Sequence, residues 1–193
     1  MIMGITGGSG SGKTTLLNIL QEHGFTVLDC DEIYHNLLKT DTHLLAAIHT
    51  RFPGTVENGI LDRKKLGSLV FSDKASLADL NRITHAAVKA EVIRQLSSAT
   101  GHAAIDAIGL FESGLSELCK LTVAITAPEK IRIERLMRRD NISEEYAQKR
   151  IHAQKSGKEF QKLCDYTLVN DGTQQAFREK CLAFLRQQGI IKI

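Results

Sequence analysis

The stretch Gly7-Gly8-Ser9-Gly10-Ser11-Gly12-Lys13-Thr14 is a complete GxxxxGK[ST] loop, and it follows directly on the apolar run Met1-Ile2-Met3-Gly4-Ile5-Thr6. Its context matters more than the string. A phosphate-binding loop needs a strand to aim it, glycines that let successive backbone N–H groups turn inward, and a helix whose positive end faces the anion. The apolar run supplies the strand. The segment Lys13–Glu22 supplies the helix, with Leu16, Leu17, Ile19 and Leu20 as its apolar set and Gly24 as an αL cap. A bound nucleoside triphosphate is therefore the starting expectation.

Working outward, short apolar runs rich in β-branched residues recur at 26–28, 103–108, 121–127 and 166–169, separated by helical patterns. With the first strand they make five, and the alternation predicts an α/β fold with a parallel sheet covered by helices on both faces. Pro128 suits the first turn of a helix at 129–139, Ser143 caps a helix at 144–154, and Thr173 caps the last one. The connection from about 32 to 102 is far longer than an ordinary crossover and reads as helical throughout, with segments at 33–38, 44–52, 63–71 and 77–96. An excursion of that size beside a phosphate loop is expected to bind the second substrate.

The totals set outer bounds. A chain of 193 residues with two prolines and no low-complexity run fits one domain without a linker. Lys and Arg number 25 against 22 Asp and Glu, an excess of 25 − 22 = 3, too small for a nucleic-acid-binding tract. No apolar stretch approaches the roughly 20 residues needed to span a bilayer, and a strand at the very start leaves no room for a signal peptide, so a cytoplasmic protein with no membrane partner is expected. Cys30, Cys119, Cys164 and Cys181 form no CxxC pair, and the histidines lack paired spacing, so no disulfide framework and no structural metal are expected.

Phosphoryl transfer asks a protein to align an acceptor, neutralise spreading charge and position a metal ion. The backbone of Gly8, Ser9, Gly10, Ser11, Gly12, Lys13 and Thr14 is expected to cradle the phosphates of ATP. Lys13 would reach the β- and γ-oxygens, the Thr14 hydroxyl would join a Mg²⁺ shell, and Thr15 continues the helix at the edge of the cradle. Asp29 and Asp31 flank Cys30 where the second strand ends. Two positions apart on an extended chain, they are expected to point to the same side, with Asp31 as the base that orients an acceptor hydroxyl and Asp29 as its support or a helper to the metal. Asp106 closes the third strand, a position suited to magnesium, directly or through water. It also opens a DxxG with Gly109, yet the sequence has no Asn-Lys dipeptide to read guanine, which argues against a GTPase. Arg132, Arg135, Arg138, Arg139, Lys149 and Arg150 crowd two consecutive helical segments and read as a mobile lid over the triphosphate, with Arg139 the foremost candidate and Arg135 next.

At this point the segments GITGGSGSGKTT, VLDCDEI, GILDRKKL with VFSD, ITH, IDAIGLFESGL, ERLMRRDNISEEYAQKRIHAQ and CDYTLVNDGT together resemble the dephospho-coenzyme A kinase family over almost the whole chain. The resemblance implies a three-layer P-loop fold with a core at about 1–32, 101–130 and 164–193, a helical acceptor lobe at about 33–100 and a lid at about 131–163. It implies ATP-dependent phosphorylation of the ribose 3′-hydroxyl of dephospho-coenzyme A by a monomer or small homo-oligomer. By the same carry-over Asp31 is the catalytic base, Arg139 contacts the phosphates, Asp62, Arg63 and His85 belong to the acceptor lobe, and Asn170 with Gly172 lies near the adenine. The chain departs from the family pattern at His35, where an arginine is usual, and at Ala86, Ile108, Gly109 and Phe160, the last standing for a lysine. Most departures fall on the acceptor side. A paralogue acting on another hydroxyl compound and an ATP-binding module without turnover therefore stay open as alternatives.

Overall fold

Strand β1 (Ile2–Thr6) lies at the centre of a five-stranded sheet, and its alternation of side chains sets what each face carries. The computed structural model describes residues 1–192. Met3 and Ile5 are fully buried on one face against Leu16, Leu17, Ile19 and Leu20 of α1 (Lys13–Glu22) and Phe177, Cys181, Phe184 and Leu185 of α9 (Gln174–Gln187), all in one apolar core. On the opposite face, a Cβ at Gly4 would stand 2.8 Å from Cys119 Sγ and from a Leu110 methyl, so only a residue without a side chain admits that layer.

The remaining strands follow the expected positions: β2 (Thr26–Asp29), β5 (Ala103–Asp106), β6 (Leu121–Thr126) and β7 (Tyr166–Val169). Their order is β2-β5-β1-β6-β7, with β1 parallel to both β5 and β6, and β6 parallel to β7. The sheet is flanked by helices, as expected of an α/β P-loop fold. After β6 come α6 (Glu129–Asp140), with Pro128 at its N-cap and Asn141 in the left-handed region closing it, and α7 (Glu144–His152), whose Ser143 hydroxyl accepts from the Tyr146 amide. A third helix of this segment, α8 (Gly157–Leu163), opens on a capping box between Ser156 and Glu159.

The chain forms two compact units. One holds Met1–Leu28, Ala99–Phe111 and the chain from Leu115 onward; the other holds Asp29–Ser98 and Glu112–Gly114. The second contains α2 (Cys30–Thr40), α3 (Thr42–Arg51), α4 (Arg63–Val70) and α5 (Lys74–Ser98), packed around Leu38, Leu44, Ile48, Phe52, Leu66 and Val70. It is not helical throughout, however. Val56–Glu57 (β3) and Ile60–Leu61 (β4) pair as an antiparallel hairpin. Asn58 and Gly59 turn it with φ of 51° and 75°, the positive pair that an Asn-Gly hairpin turn requires. Among the described residues no helix is long and apolar enough to cross a membrane.

Candidate active site

The loop between β1 and α1 is held from behind. Arg132 Nε donates to the Ser9 carbonyl at 2.9 Å, Arg135 donates to the carbonyls of Gly10 and Ser11 at 3.2 and 3.4 Å, and Asn170 Nδ2 donates to the Ser11 carbonyl at 2.9 Å. In a trans peptide the C=O and N–H point in opposite directions. Anchoring the Ser9 carbonyl on Arg132 thus turns the Gly10 amide away from it, and anchoring the Ser11 carbonyl on Asn170 does the same for the Gly12 amide. Among the described residues, the amides of Gly10, Gly12, Lys13 and Thr14 have no hydrogen-bond acceptor, whereas those of Ser9, Ser11 and Thr15 are satisfied by Gln154 Oε1, Gly8 O and Gly12 O. Gly12, the N-cap of α1, has φ of 98°, and a Cβ there would overlap Asn170 Nδ2. Unpaired N–H donors at a helix N-terminus are suited to phosphate oxygens.

Lys13 Nζ donates to the Gly7 carbonyl at 3.0 Å and stands 3.9 Å from Asp106 Oδ1 at the end of β5. The Thr14 hydroxyl is on an exposed residue in the first turn of α1. Ser11 is 1% exposed, and its Oγ has no hydrogen-bond partner among the described residues. Hydroxyl, carboxylate and phosphate oxygens are the hard donors that Mg²⁺ takes, so the residues present fit that ion. Thr14, Thr15 and Asn18 on α1 and Gln174, Gln175 and Arg178 on α9 line a cleft of about 390 Å³ beside the cradle. Gly172 lies on the exposed loop leading into α9.

The basic cluster divides into three kinds of arginine. Arg132 is 6% exposed, and burial lowers its pKa. It is a fixed strut, not a mobile group. Arg135 bridges the loop carbonyls to Asn170 Oδ1, at 3.1 Å. Arg139 lies mostly in solvent and makes a two-pronged contact with its neighbour Asp140, at 2.6 and 3.0 Å, while Arg150 reaches the same carboxylate at 2.6 Å. Two guanidinium groups hold the Asp140 carboxyl at a pKa of about 2. Helices α6 and α7 pack through Ile133, Leu136, Ala147 and Ile151, so this pair of helices has a small core of its own.

The acceptor candidates lie in the second unit, and here one sequence expectation is corrected. The chain is not extended from Asp29 to Asp31: β2 ends at Asp29 and α2 begins at Cys30. Asp29 is the N-cap, accepting from the amides of Asp31 and Glu32 at 2.8 and 3.1 Å, so its carboxylate is occupied as a helix cap. Asp31 is exposed in the first turn. The His35 ring pairs with the Asp31 carbonyl through Nδ1 at 2.6 Å, one turn along. Asp62 caps α4 by accepting from the Lys65 amide, and Arg63 is the first residue of that helix; burial raises the pKa of Tyr34, and the Arg63 charge opposes that shift. His85 lies half-buried on α5, where desolvation lowers its pKa.

Two side chains that contact the loop carry no sequence signal of that contact. Arg132 was one of six cations in a cluster, and nothing local marked it as the buried one. Gln154 carried no signal at all, yet it touches Ser9 across 145 positions of chain.

A family model described as Dephospho-CoA kinase matches residues 1–176. The chain belongs to the dephospho-CoA kinase family. A relative of that name from Carboxydothermus hydrogenoformans is 34% identical over 96% of this chain and 93% of its own length. Among solved structures, TT1252 from Thermus thermophilus is 31% identical with a TM-score of 0.81, covering 97% of each chain. Dephospho-CoA kinase from Campylobacter jejuni is 26% identical with a TM-score of 0.66, covering 98% of each. The chain is thus a P-loop kinase, an ATP-binding phosphotransferase with an alcohol acceptor. Phe160 is 2% exposed, a large apolar side chain seated in the interior, where a charged side chain would be desolvated.

Proposed function

We propose that this chain transfers the γ-phosphoryl group of ATP to the ribose 3′-hydroxyl of dephospho-CoA, giving CoA. The reading is carried by the unpaired amides of Gly10, Gly12, Lys13 and Thr14 beside the Lys13 ammonium, in a chain of this family. Those amides take the β- and γ-oxygens, and Lys13 leaves the Gly7 carbonyl for the same oxygens, adding charge where it accumulates in transfer. The adenosine half lies over the cleft between α1 and α9, whose volume is in the range of small-molecule sites. Thr14, with Asp106 through water, would hold Mg²⁺, which supplies neutralisation of phosphate charge when bound.

Asp31 accepts the proton of the acceptor hydroxyl, and the second unit supplies the acceptor site through His35, Asp62, Arg63 and His85. Arg139 is the phosphate-contacting arginine of the lid. Its contact with Asp140 keeps the guanidinium ordered without burying it, so exchange of one carboxylate for a phosphate costs little. The partner is a small molecule, not nucleic acid or membrane, and the reaction belongs to the cytoplasm, run by a monomer or small homo-oligomer.

The test is incubation with ATP, Mg²⁺ and dephospho-CoA, followed by mass analysis for a gain of one phosphoryl group on the ribose. CoA formation at catalytic enzyme loading is expected. ADP release with another hydroxyl compound, and none with dephospho-CoA, would contradict the assignment of acceptor.

A further inference from the structure

Ser9 is gripped at all three of its polar groups, and two of the three grips come from Gln154. Its Oε1 accepts from the Ser9 amide at 2.8 Å, its Nε2 donates to the Ser9 hydroxyl at 2.8 Å, and Arg132 closes the set by donating to the Ser9 carbonyl at 2.9 Å. Arg132 also reaches Gln154 Oε1, at 3.4 Å, so the two side chains brace each other. Gln154 is itself placed by its backbone N–H on the Ile151 carbonyl, just beyond the end of α7. The approach is close: a Cβ on Gly8 would overlap the Arg132 guanidinium and stand 3.1 Å from Gln154 Oε1.

We infer that Gln154 is a positioning residue for the phosphate cradle: it fixes the Gly8–Ser9 peptide and the Ser9 side chain, while Arg132 fixes the following Ser9–Gly10 peptide, which carries the Gly10 amide toward the nucleotide. Among the described residues, the Ser9 amide is the one loop amide paired with a side chain, which removes it as a competing donor and fixes the rotation of the Gly8–Ser9 peptide. Without Gln154, the Ser9 hydroxyl and amide are released, the Gly8–Ser9 peptide loses its anchor, and Ser9 is held through its carbonyl by Arg132 alone. A flexible loop would then have to be ordered by the nucleotide itself, at a cost to affinity. Because Gln154 lies at the far end of the two-helix lid segment, the same contact ties the order of the loop to the placement of α7.

This inference rests on the proposed use of ATP, and its test separates the two. Gln154→Met keeps the volume and removes both hydrogen bonds. Titration calorimetry with ADP on the chain alone needs no acceptor; there the Kd is expected to rise about tenfold, as loss of a buried polar contact would give. The KM for ATP rises with it, while the KM for dephospho-CoA and the melting temperature stay near the parent values. Ser9→Ala weakens ADP binding in the parent but adds nothing in the Gln154→Met background. An ADP Kd within twofold of the parent overturns the inference, as does a loss spread equally over both substrates and the melting temperature. If the parent binds ADP but makes no CoA, the acceptor assignment fails while the role of Gln154 is still measured.

Discussion

Asn170 and Ser11 are 159 positions apart, yet the Asn170 side-chain amide donates to the Ser11 carbonyl at 2.9 Å from a position only 4% exposed. Asn170 directly follows β7 and the loop follows β1, so the phosphate cradle is braced from beyond a strand end it does not adjoin in sequence. Asn170→Ala leaves the Ser11 carbonyl with the longer Arg135 contact alone. Nucleotide affinity is expected to fall by about 1 kcal/mol, the worth of one lost hydrogen bond. Calorimetry with ADP measures it, and an unchanged Kd would show that the brace is not needed.

Gly12→Ala strains the loop from the other side. A φ of 98° disfavours any residue with a Cβ, and the new methyl would overlap the Asn170 amide. The backbone contribution is about 1–2 kcal/mol, and relief by moving the loop misaims the Gly12 and Lys13 amides. Thermal stabilisation by saturating ATP, several degrees in the parent, is expected to vanish.

Phe160 gives a prediction about packing. Phe160→Ala should cost about 3–5 kcal/mol in denaturant unfolding, the range for emptying an aromatic core site. Phe160→Lys should destabilise at least as much, because the site is buried and would desolvate the charge.

The Asp140 carboxyl, held near a pKa of about 2 by Arg139 and Arg150, gives a pH prediction. A depressed carboxyl contributes stability above its unfolded value, about 3.9, and that contribution is lost as pH falls through the folded value. The melting-temperature difference between the parent and Asp140→Asn should therefore stay constant from pH 9 to 5 and close as pH falls toward 2. A difference that grows in acid would contradict the pairing.

Much of the fold was legible because it is written locally. The loop Gly7–Thr14, the apolar runs and the Ser143 and Thr173 caps announce strands and helices within a few residues of themselves. The Asn58-Gly59 turn was equally local but lay inside a stretch whose helical spacing dominated its reading. Asp29 misled for a subtler reason: period-two spacing places side chains on one side only if the strand continues, and here it caps a helix instead. The struts Arg132, Gln154 and Asn170 were invisible as struts because their meaning lies in contacts more than 120 positions away, where no sequence period reaches.

The central claim is that the loop presents ATP to an acceptor hydroxyl steered by Asp31, and turnover by Asp31→Asn tests it most directly. Amidation removes the proton acceptor and leaves the cradle untouched. The account predicts kcat with dephospho-CoA lower by about 10²–10⁴-fold, with the Kd for ADP unchanged. A variant that makes CoA at the parent rate would contradict it.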